Sequence, residues 1–229
     1  LVLCFSHLLQ HSDIGVASYA AVLIKKLIKP KDTEDVAKVW SEASTEMKDN
    51  IKLNCITALF NCKNKSVSRK IATAVNYLID NIYGEKAKWD DAIKFIVNGF
   101  SLPLTPENAI TVGNAVFLLS KSFNVIEDDI IGGIDVLVEG FNRFFKEGSI
   151  DIKAGSCEAI CEILCGYLNK KAKKKFREFI FQMLQTLLEC LNANDSDNLK
   201  CVLFAVSDLA QNEPTYLKKH FADIFVLMG

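Results

Sequence analysis

Neither sign of charge prevails in this chain: 27 lysines and arginines stand against 28 aspartates and glutamates, a formal net charge of -1. A general binder of nucleic acid or of a membrane surface would show a clear positive excess, so the balance argues against both. Long apolar runs are missing too. The longest uncharged stretches are interrupted by Pro103, Pro106, Asn108 and Asn114 before they reach the roughly 18 residues of a membrane helix, which predicts no membrane insertion. The opening LVLCFSHLLQ has the apolar centre of a signal peptide, but neither a basic segment before it nor a small-residue cleavage site after it. With no initiator Met, the expectation is a fragment whose true N-terminus lies upstream.

Catalytic signatures are also lacking. The chain contains no glycine-rich phosphate loop, no paired catalytic carboxylates and no dinucleotide fingerprint, and Gly132-Gly133 falls inside a helical segment rather than after a strand. His220, in KKHFADIF, has no Ser or Cys nucleophile beside it that would make a triad. His7 and His11 stand at i and i+4, as helical zinc ligands do, without a following Glu or a third ligand. No catalytic, metal-binding or cofactor-binding residue is therefore assigned, and no cofactor is expected.

Half of the 229 residues are hydrophobic, enough for a large core. Period-2 alternation is absent, whereas apolar residues recur at i, i+3, i+4 and i+7 almost throughout, so the chain reads as all-α. Pro30, Gly84, the Leu102 to Pro106 segment, Gly148, the Asn192 to Asp195 turn and Pro214 divide it into helices of roughly 12 to 20 residues. These come in pairs, and the second members align: VASYAAVLIKKL from Val16, VSRKIATAVNYL from Val67, NAITVGNAVFLL from Asn108, IKAGSCEAICEI from Ile152 and NLKCVLFAVSDL from Asn198. Alignment puts Ala20, Ile71, Val112, Ser156 and Val202 in one column, Ile24, Val75, Val116, Ile160 and Val206 in a second, and Leu27, Leu78, Leu119, Ile163 and Leu209 in a third.

The third column repeats every forty to fifty residues or so, the period of HEAT and armadillo arrays, whose helix pairs bury their apolar faces only by stacking. The expected organisation is one array over 1–229, about five helix pairs, with second helices near 15–29, 66–83, 107–122, 150–168 and 197–211. Neither end carries a polar capping unit, which predicts further repeats beyond both.

The eight cysteines lie in apolar segments without a disulfide-like framework and read as thiols of a reducing compartment. The run GSCEAICEILCG spaces Cys157, Cys161 and Cys165 four apart. On a helix they fan over roughly 80° and span about 12 Å of axis, too far for one zinc ion with sulfurs about 2.3 Å away. The pattern is packing: Cys157 falls in the apolar arc, Cys161 and Cys165 near its edge. A reactive thiol at the edge is the alternative.

The strongest charge feature is KKAKKKFR, with Lys170, Lys171, Lys173, Lys174, Lys175 and Arg177 at the join of the fourth and fifth repeats. Cations at a helix start oppose its dipole. The run reads first as a solvated turn, with a patch for an acidic protein partner and a nuclear-localisation or nucleic-acid patch as the other readings.

Several strings resemble a known family. AAVLIKKLIKP at Ala20 to Pro30, Trp40, VSRKIATAVNYLIDNI at Val67 to Ile82, and Trp89 leading into AIKFI are similar to the N-terminal repeats of the importin-beta (karyopherin-beta) nuclear transport receptors. LFAVSDLAQNEPTYLKKHFADIF at Leu203 to Phe225 resembles the importin five subfamily. The resemblance implies a non-enzymatic, right-handed HEAT-repeat superhelix with first helices on the convex face and second helices on the concave one. It also implies three partners: Ran-GTP on second helices of the N-terminal repeats, protein cargo on the concave face, and Phe-Gly nucleoporins between outer helices. A protein of this kind shuttles between cytoplasm and nucleus and meets the nuclear envelope. Wheel arithmetic puts Lys25, Lys29, Arg69, Asn76 and Asp80 on the polar outward side of the first two second helices, where the resemblance implies the Ran-facing surface. Two rivals share the residue pattern: a HEAT scaffold assembling a phosphatase, chromatin or trafficking complex without a GTPase switch, and a thiol enzyme using Cys161 or Cys165.

Overall fold

In a computed structural model, residues 1–30 and 36–220 are described. Their helices are α1 (Val2–Leu8), α2 (Ile14–Ile28), α3 (Lys38–Ser41), α4 (Thr45–Asn61), α5 (Lys65–Gly84), α6 (Asp90–Ser101), α7 (Ala109–Ile130), α8 (Ile134–Glu147), α9 (Ile150–Cys165), α10 (Lys170–Arg177), α11 (Ile180–Asn192), α12 (Ser196–Asn212) and α13 (Pro214–Leu217). No strand occurs among the described residues. Residues 221–225, the end of the LFAVSDLAQNEPTYLKKHFADIF stretch, lie outside them.

Helix starts follow local chemistry. The Asp13 carboxylate accepts from the backbone N–H of Gly15 and Val16, and Ser44, Asn64, Asn169 and Asp195 cap α4, α5, α10 and α12 in the same way. Each cap satisfies a donor that the helix itself leaves orphaned. Two turns place a non-glycine residue in the left-handed region, Lys86 after α5 and Asn194 after α11.

The chain forms two compact units, Leu1–Gly99 with Thr105–Leu118 and Phe100–Leu104 with Leu119–Gly229. In the first, α2 packs along α5, and the Ser68–Asn114 hydrogen bond and the stacking of Arg69 on Phe117 join α5 to the start of α7. In the second, α9 packs along α12, and Lys121–Glu158 and Asn124–Glu162 link the end of α7 to α9. The three register columns lie in the core. All their residues are buried except Leu27 and Val206, which are half-buried.

The structure departs from the sequence reading at several points. Helix α1 stops at Leu8, so His7 and His11 do not share a helical face: His7 lies near the Asn54 amide and His11 accepts from the backbone N–H of Asp13. Gly132 and Gly133 lie in a 3-10 turn, Ile131–Gly133, that separates α7 from α8. The helical run Ala109–Glu147 is, by length and composition, long and apolar enough to cross a membrane. Its apolar side, however, is protein core at Val112, Val116, Leu119, Phe123 and Ile126. The basic run is a capped helix and not a turn, because Ala172 and Phe176, one turn apart, are buried and anchor it.

Candidate functional site

The outward face of α2 and α5 carries the five residues singled out for a partner. Lys25 and Lys29 are exposed, as is Arg69; Asn76 and Asp80 are half-buried. Spacing by three and four turns Arg69, Thr73, Asn76 and Asp80 to one side of α5. Two aromatic rings hold the cations in place. The Lys25 ammonium lies 6.0 Å from the centroid of the Tyr77 ring, and the Arg69 guanidinium stacks 4.4 Å from that of Phe117, contacts that orient a cation without neutralising it.

Asp80 differs from its neighbours. Burial pushes its carboxyl up to about 6, from an ordinary value near 3.8, and no hydrogen-bond or ion-pair partner faces it among the described residues. A half-buried carboxylate without a partner costs stability at neutral pH. Immediately next to it, Asn81 is fully buried and fully satisfied. Its side-chain oxygen accepts from the N–H of Ala37 at 2.6 Å, and its amide donates to the carbonyls of Ile28 at 2.7 Å and Tyr77 at 2.6 Å. Asn81 thus fixes the end of α2 and the start of α3 against α5. Periodicity gave no signal for it, since a buried amide reads as polar.

The basic run divides by direction. Lys173 is buried with its ammonium 3.6 Å from Glu213, and Lys175, half-buried, ion-pairs with Asp135. Lys170, Lys171, Lys174 and Arg177 are exposed. The six cations are therefore not one patch; two are turned toward acids and four toward solvent.

Among the cysteines, all eight are free thiols. Cys157 and Cys161 are buried and Cys165 is half-buried, so Cys161 lies deeper than its position near the edge of the arc suggested. The Cys161 and Cys165 sulfurs are 4.0 Å apart. Donating to Cys165 and being buried raise the Cys161 thiol, while accepting that hydrogen bond lowers Cys165. Burial pushes Cys55 up to about 12 and is the largest of the causes that raise Cys157.

Comparison with known proteins supplies the context for this face. The sequence model described as "IPO5-like, TPR repeats" matches residues 63–227. The chain belongs to that family. It is a member of the importin-beta, or karyopherin-beta, receptors. A comparison with curated proteins gives no match. Solved structures agree on the fold: the crystal structure of Kap121p superposes with a TM-score of 0.74 at 16% identity, covering 97% of this chain and 20% of that one. The karyopherin Kap121p bound to the SUMO protease Ulp1p gives 0.74 at 17%, and Kap121p bound to Nup53p gives 0.73 at 16%, with the same 97% and 20% coverage. The importin-beta chain described here thus spans about a fifth of the length of these relatives and has their all-helical HEAT-repeat fold.

Proposed function

We propose that this chain is the N-terminal part of a nuclear transport receptor that binds Ran-GTP, protein cargo and Phe-Gly nucleoporins, and shuttles between cytoplasm and nucleus. Membership of the importin-five-like family over residues 63–227 carries the reading. Related Kap121p chains occur in complexes with Ulp1p and Nup53p, which supports a partner-binding role for the repeats.

Ran-GTP meets the outward face of α2 and α5 through Lys25, Lys29, Arg69, Asn76 and Asp80. The ring-held cations and the Asp80 carboxylate, unpartnered among the described residues, support this choice. Together they offer both signs of charge on one surface, and a donor from a partner would relieve the desolvation that Asp80 bears. Ran-GTP and cargo compete for overlapping concave surface, so each lowers the affinity of the other by the same factor. Repeat stacking lets small shifts at each interface add along the array.

Contacts of this type are shared among many residues, so single alanine changes cost under about 1 kcal/mol each. The test is Lys25→Glu, Lys29→Glu and Arg69→Glu combined, with affinity for GTP-loaded Ran measured at low salt. A loss of roughly a hundredfold, about 2.7 kcal/mol, is expected. Unchanged affinity in the folded triple variant places the Ran surface elsewhere.

A further inference from the structure

The four solvent-facing cations of α10 do not all look the same way. Lys174 and Arg177 form one wall of a cleft whose other wall is Tyr216, Lys219 and His220, brought against α10 by the chain after α12. The cleft has a volume of about 280 Å³ and an apolar side chain, Ile180, in its lining; among the described residues Glu178 is the one carboxylate lining it. All of these residues belong to the second compact unit.

The pairing of charges here is selective. Lys173 and Lys175, on the same helix, are matched by Glu213 and Asp135, whereas Lys174 and Lys219 pair with no carboxylate among the described residues. Arg177 is fixed by another means: its guanidinium lies 3.8 Å from the centroid of the Tyr216 ring. Stacking sets the plane of the fork and leaves its N–H edges free to point along that plane, the disposition that suits a bidentate oxyanion. Convergent unpaired cations repel one another, and those at the start of α10 also oppose its dipole. The fold carries that cost at the cleft and its rim.

The geometry points to a binding site for a phosphoryl group carried on a serine or threonine of a partner protein. A compact dianion matches two ammonium groups and one oriented guanidinium better than a single carboxylate does. The Tyr216 and Ile180 surfaces take the carbon atoms of the phosphorylated segment. Nucleic acid fits less well, because the cations converge on one cleft in a chain of net charge -1 and form no stripe along which a phosphate backbone could run.

The inference stands apart from Ran binding, and its test keeps the two separate. The whole 229-residue chain is immobilised and exposed, at about 0.15 M salt, to a peptide library with phosphoserine fixed at its centre and randomised flanks. Matched libraries carry serine or glutamate at that position. Retention of the phosphoserine library about tenfold above both others is expected. That excess disappears in Lys174→Gln, Arg177→Gln and Lys219→Gln combined, and persists in Lys170→Gln with Lys171→Gln, which lie outside the cleft. Thermal unfolding by circular dichroism checks that the triple variant is folded; if it is not, Lys219→Glu alone replaces it, with the same loss expected. GTP-loaded Ran binds the cleft variants as it binds the parent. Equal retention of the three libraries, an excess that survives the cleft substitutions, or displacement of the phosphopeptides by a uridine oligonucleotide each overturn the proposal.

Discussion

The two compact units share one helical register and hold it with different chemistry. The α2–α5 contact of the first is aliphatic, with Ala17, Ala20, Ala21, Ile24, Ile71, Ala72, Val75, Leu78 and Ile79; the unit's buried aromatics, Trp40, Trp89 and Phe95, lie outside these two helices, and polar brackets secure it. Asn81 ties three backbone groups, Ser68 meets Asn114, and Glu85 accepts from Trp40 Nε1 at 3.1 Å while pairing with Lys48 at 2.7 Å. The second is aromatic. Phe100, Phe141, Phe144, Phe176 and Phe179 form one cluster with ring centroids 4.9–6.3 Å apart. A repeat register thus prescribes which positions are buried, not what fills them. Small side chains line the α2–α5 contact in the first unit. Bulk in the second anchors short α10 through Phe176 and leaves four of its cations exposed.

Removing the aromatic keystone should do most harm. Phe141→Ala is expected to cost about 4 kcal/mol, from lost burial and the cavity left behind. Hydrogen exchange should lose protection chiefly over residues 119–220; an even loss along the chain would erase the distinction between the units. Next comes the polar bracket. Asn81→Leu leaves the Ala37 N–H and the Ile28 carbonyl without their partner, an expected loss of about 3 kcal/mol in urea unfolding. A cost below about 1 kcal/mol would show that burial alone secures the first unit.

A pair of glycines sharpens the comparison through opposite signs. A Cβ at Gly140 would lie 2.6 Å from Phe100 Cδ1 and 3.0 Å from its carbonyl oxygen, whereas one at Gly113 meets nothing within 4 Å. Gly140→Ala should destabilise by about 2 kcal/mol, and Gly113→Ala should stabilise by about 0.5 kcal/mol through helix propensity.

One of the smaller effects depends on pH. Because the Asp80 carboxyl is raised to about 6, the folded chain binds that proton more readily than the unfolded one. Its contribution to stability therefore rises as pH falls through 6 toward the unfolded value near 3.8. Asp80→Asn should stabilise by about 1 kcal/mol above pH 7, after allowance for solvent screening, with the gain fading toward pH 4. A gain that does not vary with pH would mean that charge at Asp80 is not the cause.

Much of this was legible in the sequence, because stacking repeats write their buried face as a period. The columns through Ala20, Ile24 and Leu27 name the core of each second helix, and Ser156 is buried as its column requires although it is polar. What was not legible depends on partners about forty residues away. Arg177 gives no sign of Tyr216, nor Phe100 of Phe141, because helical periodicity reports a face without saying what covers it. The basic run is a helix rather than the turn its charges suggest, because Asn169 caps it and Ala172 with Phe176 anchors it, signals weaker than six cations. For the proposed partner face, the wheel finds the exposed cations but not the burial of Asp80, which a helical period does not report.

The central claim is a GTPase-dependent receptor, and titration calorimetry of this chain against Ran tests it most directly. Ran loaded with a non-hydrolysable GTP analogue should bind at least about 100-fold more tightly than Ran loaded with GDP, a difference of roughly 2.7 kcal/mol. Equal affinity for the two forms, or no binding by a folded sample, would contradict it.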